Sequence, residues 1–96
     1  MEQKDVYEEK VAAQLAEWQA RIDELRAKAR GQEAEAKEQY LSEIEKLEAR
    51  RDAAMNQFEE LRKAGEGAWT DLKTGLDRAV SDLSQTFDNI VSRFKP

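Results

Sequence analysis

The apolar stripe in the last third of the chain is the feature that most constrains its fold. Its large side chains recur at steps of three and four residues: Trp69, Leu72, Leu76, Val80, Leu83, Phe87, Val91 and Phe94. The pattern is an eleven-residue repeat, at about 3.67 residues per turn, which is close to a straight α-helix. The large side chains therefore stay on one face of a helix. Such an apolar face must be buried against another surface, and the identity of that surface is the functional question.

Composition indicates a helical chain that associates with itself. The chain has 96 residues, 39% of them charged and 40% apolar. Ala, Glu, Lys, Leu and Arg dominate, as is typical of long helices and coiled coils. A chain this short buries little surface alone. We therefore expect residues 1–96 to be a single helical coiled-coil unit that forms a homo-oligomer.

The first two thirds of the chain predict one long charged helix over about residues 4–64. Heptad-like spacing and then eleven-residue spacing place these residues on its seam: Val11, Leu15, Trp18, Ile22, Leu25, Ile44, Leu47, Phe58 and Leu61. Gly31 lies among strong helix formers, with no capping residue beside it. A lone glycine costs a helix only about 1 kcal/mol. We therefore expect the helix to continue through Gly31 as a rod of about 90 Å.

Arg51 occupies a seam position of this helix. Its long stem can lie along apolar neighbours, and its head can pair with an acid across an interface.

Gly65 and Gly67 form the strongest break in the sequence and predict a bend or turn at 65–67, that is, a hinge. A second amphipathic helix follows over about residues 68–94. Stepping by eleven from Leu25 keeps an apolar phase across the glycines, so a kinked but uninterrupted helix is the alternative. The predicted fold class is all-α and elongated, with coiled-coil packing.

The charge distribution excludes some classes of partner. The net charge is −5, residues 1–67 hold 17 acids and 12 bases, and residues 68–96 hold four of each. Without a basic stripe, nucleic acid is not an expected partner, and neither is an anionic membrane. Residues 68–96 also carry six hydroxyl side chains on a neutral surface.

The residue types argue against an enzyme. The chain has no histidine and no cysteine, so the imidazole base, the thiol nucleophile and the imidazole and thiolate metal ligands are missing. The carboxylates of Glu33, Glu35 and Glu38 are typical of a solvated helix face. Gly65 and Gly67 lack the preceding strand and the third glycine of a nucleotide-binding loop. We expect no catalytic residue, no metal and no cofactor.

The N-terminal residues are charged, and the longest apolar runs have three residues. These features predict neither a signal peptide nor a membrane span, so the cytoplasm is the expected location.

The run from Ala68 to Val80, AWTDLKTGLDRAV, resembles a pattern in small bacterial helical coiled-coil proteins, most of them uncharacterised and some stress-associated. The segments around Trp18 (QLAEW and IDEL) and IEKLEARRD at 44–52 are similar to them as well. The eleven-residue repeat is loosely similar to apolipoproteins, granule-coating phasins and late-embryogenesis-abundant proteins. The resemblance implies a helical fold and no defined catalytic activity.

Three functions fit these observations. The first is an oligomeric coiled-coil structural or interaction protein whose seams pair between chains or fold against residues 69–94. The second is an amphipathic binder of uncharged lipid or hydrophobic granule surfaces through residues 68–94. The third is a stress-related protectant that is partly disordered alone, which the mean hydropathy of −0.91 permits. Trp18 and Trp69 serve as seam anchors in the first function, and Trp69 contacts lipid in the second.

Overall fold

The structure is a computed structural model that describes residues 3–94. This part of the chain forms three α-helices: α1 (Gln3–Arg30), α2 (Ala34–Lys63) and α3 (Glu66–Arg93). The helices are joined by two short turns and pack into an elongated bundle of 51 × 19 × 18 Å. Since each turn reverses the chain, α2 is antiparallel to its neighbours, and α1 and α3 are parallel. The all-α, elongated fold class is confirmed.

The prediction of one continuous helix over residues 4–64 is wrong, because α1 ends at Arg30. The backbone N–H groups of Gly31 and Gln32 bond to the carbonyls of Lys28 and Ala29, both at 3.1 Å, in a tight final turn. Glu33 then takes an extended conformation as the N-cap of α2 without a side-chain cap bond. The predicted 90 Å rod is therefore replaced by a hairpin of two shorter helices.

Tertiary packing explains this break. A missing cap side chain costs about 0.5–2 kcal/mol, whereas each fully buried large apolar side chain contributes about 1.5–3 kcal/mol. The turn brings the end of α1 against the start of α2, where Ile22, Ile44 and Leu47 are completely buried. Burial of several such side chains outweighs the weak local preference for a straight helix.

The second turn falls where the sequence predicts it. Helix α2 ends at Lys63, and Ala64 and Gly65 are the two residues between the helices. Gly65 is the N-cap of α3, and its carbonyl accepts the N–H groups of Ala68 and Trp69 at 3.1 and 3.2 Å. The predicted break is thus confirmed, with α3 beginning slightly earlier than residue 68.

Buried residues form two clusters, one toward each end of the bundle. One lies where α1 ends and α2 begins, and its larger members are Trp18, Ile22, Leu25, Tyr40, Ile44, Leu47, Leu83 and Ile90. The other lies at the opposite end and contains Tyr7, Val11, Leu15, Ala54, Leu61 and Leu76. Within residues 3–94 no polar or charged residue falls in the buried class. The core is therefore held by apolar burial.

The burial pattern of α3 departs from the eleven-residue repeat. Its fully buried positions, Leu76, Leu83 and Ile90, lie seven residues apart. Val91, which the repeat places on the stripe, is 38% exposed. A seven-residue spacing keeps one line of side chains against two neighbouring helices, so Ile90 takes the core position instead of Val91.

Candidate interaction surfaces

The predicted interaction residues pack mostly within the chain. Ten of them are buried: Val11, Leu15, Trp18, Ile22, Leu25, Ile44, Leu47, Leu61, Leu76 and Leu83. Six are half-buried: Phe58, Trp69, Leu72, Val80, Phe87 and Phe94. Val91 is exposed. The seams of α1 and α2 thus fold against α3, which is one of the two arrangements that the sequence allowed.

Aromatic rings join α3 to the other two helices. Trp18 meets Phe87 edge to face, with ring centroids 5.2 Å apart. Tyr40 of α2 stacks on Phe94 at 4.2 Å. Such pairs contribute about 0.5–1.5 kcal/mol beyond the burial of their area. The aromatic stripe of α3 is therefore covered by helices of the same chain.

A polar contact ties the start of α1 to α3. The Tyr7 hydroxyl donates to the Asp77 carboxylate at 2.6 Å, and Lys73 Nζ donates to the other oxygen at 3.0 Å. Burial and the bond to Asp77 raise the pKa of Tyr7 far above its ordinary value. Burial alone would raise the pKa of Asp77, but the bonds from Tyr7 and Lys73 outweigh it and lower that pKa.

This contact predicts a loss of stability in alkali. Above pH about 10 the unfolded chain ionises Tyr7, whereas the folded bundle keeps the proton. The free energy of unfolding should therefore fall as the pH rises through that range. Urea titrations at pH 9 and 11, monitored by circular dichroism, measure it. In the Tyr7→Phe variant the fall should be smaller, and an equal fall in both proteins would contradict the assignment.

Arg51 crosses between two helices, as its seam position suggests. Its guanidinium donates to the Gln19 side chain of α1 and to Asp52 on its own helix. The partner across the interface is thus an amide, and the acid is its neighbour in sequence. Only 15% of the Arg51 side chain is exposed, so its stem lies along the bundle.

An apolar groove runs along the outside of α1 and α2, on the side away from α3. Its apolar floor is formed by Ala12, Leu15, Ala16, Met55 and Phe58, and the hollow above this floor has a volume of about 300 Å³. Met55 is 47% exposed. A second hollow of about 450 Å³ shares Ala12 and Phe58 with it and extends it toward the start of α1. We call the two together the α1–α2 groove.

The rim of the α1–α2 groove is mainly acidic. Asp5, Glu8 and Glu9 line it from α1, and Glu59 lines it from α2. Arg62 is the basic residue among the lining side chains and binds Glu59 at 3.1 Å, and Lys4, beside the rim, binds Glu8 at 3.1 Å. The excess of acids that the sequence places in residues 1–67 is therefore displayed beside exposed apolar surface.

The groove between α2 and α3 is different in character. It is lined by Ile90 and by small and polar residues, together with Lys46, Arg50 and Arg93. Glu43 accepts from Lys46 at 3.3 Å and from Arg93 at 2.9 Å. This groove therefore offers partly neutralised charges and a more polar lining than the α1–α2 groove.

The acidic side chains near the first turn lie on the surface. Glu33, Glu35 and Glu38 are exposed, as expected of a solvated face. In the described part of the chain no group of three or more acidic side chains is placed to hold a metal ion. None of the helices over 3–94 combines the length and the apolar character that a membrane crossing requires.

Sequence reasoning identified Leu15 and Phe58 of the α1–α2 groove but missed Ala12, Ala16 and Met55. Ala12 and Ala16 are four residues apart and flank the seam, and Met55 lies beside the buried Ala54. The four-residue spacing of Ala12 and Ala16 indicates a small-residue face on α1. That face comes to lie beside Met55 of α2 only because of the hairpin at residues 31–33. Comparison with known protein families, with curated proteins and with solved structures finds no match.

Proposed function

We propose that the protein is a non-enzymatic structural or interaction protein that works through helix–helix association, including association with copies of itself. The observation that carries the proposal is the packing of α3 across a connection of only two residues, Ala64 and Gly65. A copy whose α2 and α3 join into one helix can place its α3 on the α1 and α2 of a neighbour. Exchange of identical elements in this way is a low-cost route to dimers.

The backbone at the connection supports this route. Gly65 lies at φ −73° and ψ 168°, and a side chain added at Gly65 or Gly67 would meet nothing within 4 Å. The glycines therefore serve neither a left-handed turn nor a close approach of chains. Gly67 lies inside α3 in either form, whereas Gly65 caps α3 in the hairpin and would lie inside the joined helix, where it costs about 1 kcal/mol relative to alanine. Coiled-coil packing in the joined form belongs to the same proposal.

Light scattering across a range of concentrations tests the proposal. We expect the mass of the native chain to rise from 11.0 kDa toward twice that value as concentration increases. Because an exchanged dimer repeats the contacts of the monomer, its helix content by circular dichroism should stay almost unchanged. A mass that stays at one chain throughout the micromolar range would contradict self-association.

Binding of lipid or granule surfaces through residues 68–94 is supported less well. The apolar stripe of α3 faces α1 and α2, so α3 would have to leave the bundle before it could contact a lipid surface. The rings of Trp69 and Phe87 are only half-buried, so part of the apolar face of α3 is accessible in the bundle. The remainder of that face is still packed against α1 and α2. The link to stress rests on the resemblance alone, and the cytoplasmic location rests on composition alone.

A further inference from the structure

We propose that the α1–α2 groove is a docking site for a basic amphipathic helix of a partner protein. This inference rests on the proposed role as an interaction protein and adds the surface and the chemistry of the partner. It does not depend on the exchange of α3, because the groove is formed by α1 and α2 alone. Either result in the self-association experiment therefore leaves it open to its own test.

The apolar floor provides a seat for a helix. Helix-in-groove recognition places apolar anchors at positions i, i+3 or i+4, and i+7 of the bound helix in a hydrophobic groove. Ala12 and Ala16 are small, so a helix can approach α1 closely at this level. Met55 is flexible and polarisable, and such side chains adapt to the shape of a partner. Phe58 closes the floor from α2.

The length of the groove sets the size of the occupant. Its lining residues on α1 run from Asp5 to Gln19, which corresponds to about 21 Å or four helical turns. A bound helix of about 14 residues would cover it. A helix of that length presents about four positions on one face, and the apolar floor, which runs from Ala12 to Gln19 on α1, covers about two of its turns.

Charge complementarity selects a basic partner. Four acids, Asp5, Glu8, Glu9 and Glu59, line the rim, and the bases beside them are Lys4, which binds Glu8, and Arg62, which binds Glu59. The excess negative charge is therefore that of Asp5 and Glu9. Oppositely charged patches steer association and suppress wrong partners. A second copy docking groove to groove would bring this acidic rim against itself, so the groove does not suit a symmetric dimer. The acids concentrate at the Asp5 end, which favours basic residues near one end of the partner helix.

A synthetic helix of leucine and lysine with about 14 residues is the probe for this proposal. Its leucines follow helical spacing on one face. The matched control peptide carries glutamate at each lysine position. Binding to the intact protein is measured by fluorescence anisotropy of the labelled peptide, and chemical shifts of the Met55 methyl and of the Ala12 and Ala16 amides report its location. We expect the lysine peptide to bind there and the glutamate peptide not to bind.

Two variants separate the floor from the rim. Met55→Lys should weaken binding by at least about tenfold, whereas Val91→Lys, which introduces the same lysine at an exposed position on α3, should leave binding unchanged. Asp5→Asn with Glu9→Gln should weaken binding several-fold at low salt and have little effect in about 1 M salt, where screening is strong.

Three outcomes would overturn the proposal. They are equal binding of both peptides, equal loss with the Met55 and Val91 variants, and a Met55 methyl shift that depends on protein concentration without peptide. The third would assign the groove to a second copy.

Discussion

Replacing Leu83 with alanine should lower the free energy of unfolding by about 2–5 kcal/mol, as expected for removing a fully buried leucine. Leu83 is completely buried, and it belongs to the cluster formed by all three helices. The change removes apolar burial and leaves a cavity between α3 and the hairpin. Domains of this size have total stabilities of about 5–15 kcal/mol, so the variant should lose a large share. Chemical denaturation followed by circular dichroism gives the difference.

Val91→Ala is the matched control on the same helix. Val91 is 38% exposed, so its truncation should change the free energy of unfolding by less than about 1 kcal/mol. The pair also distinguishes the two spacings of α3, since the eleven-residue repeat places both residues on its stripe. Similar losses of stability in the two variants would contradict the orientation of α3, in which Leu83 faces the core and Val91 faces solvent.

Replacing both Gly65 and Gly67 with alanine should raise the proportion of exchanged dimer several-fold. Gly65 caps α3 in the hairpin form but lies inside the joined helix, where alanine is favoured over glycine by about 1 kcal/mol. Gly67 lies inside α3 in both forms, so its replacement stabilises the helix in each without favouring either. The new methyl groups meet no atom within 4 Å in the hairpin form. The monomer is therefore not destroyed by a clash, and the shift reflects helix preference. Light scattering at matched concentrations measures the dimer fraction.

Gly75→Ala is the control for this experiment. Gly75 lies inside α3, and an added Cβ would make ordinary contact at 3.7 Å with the Gln57 side chain. The variant gains a similar helix preference, about 0.5–1 kcal/mol, without touching the connection. Its stability should rise while its mass stays that of the native protein. If the Gly65 and Gly67 double variant also keeps the native mass, exchange through this connection is wrong.

The sequence predicts the seams well because apolar spacing depends on local geometry. The spacing around Leu15, Ile44 and Leu76 identifies which face of each helix is apolar, and these residues are buried. The break at Gly65 also follows from local chemistry, because two glycines in three residues weaken a helix strongly. These parts of the fold depend on residues close in sequence.

The break at Gly31 depends on distant residues, and the local argument therefore failed. No cap residue or proline marks the turn, and Glu33 supplies no cap bond. The turn is favoured because it buries Leu25 and Ala29 together with Tyr40 and its neighbours in one cluster. A single glycine of modest cost was sufficient to let that burial prevail.

The same limit applies to the surfaces. The Tyr7–Asp77 contact joins residues 70 positions apart and requires α1 and α3 to be parallel neighbours. The α1–α2 groove likewise requires Ala12 and Met55 to face the same side of a hairpin. Spacing within one helix contains no information about either pairing. Once the hairpin is known, however, the acidic bias of residues 1–67 and the small residues of α1 explain the character of the groove.

A distance between α1 and α2 shows whether the chain folds back at residues 31–33. The native sequence has no cysteine, so Ala13→Cys and Asn56→Cys place two spin labels on exposed helix positions. Diluting the labelled protein with unlabelled chain restricts the measurement by pulsed electron resonance to pairs within one molecule. Because the bundle is only 19 × 18 Å across, we predict a separation near that width. A separation of about 65 Å, expected for a continuous helix, would contradict the hairpin of α1 and α2.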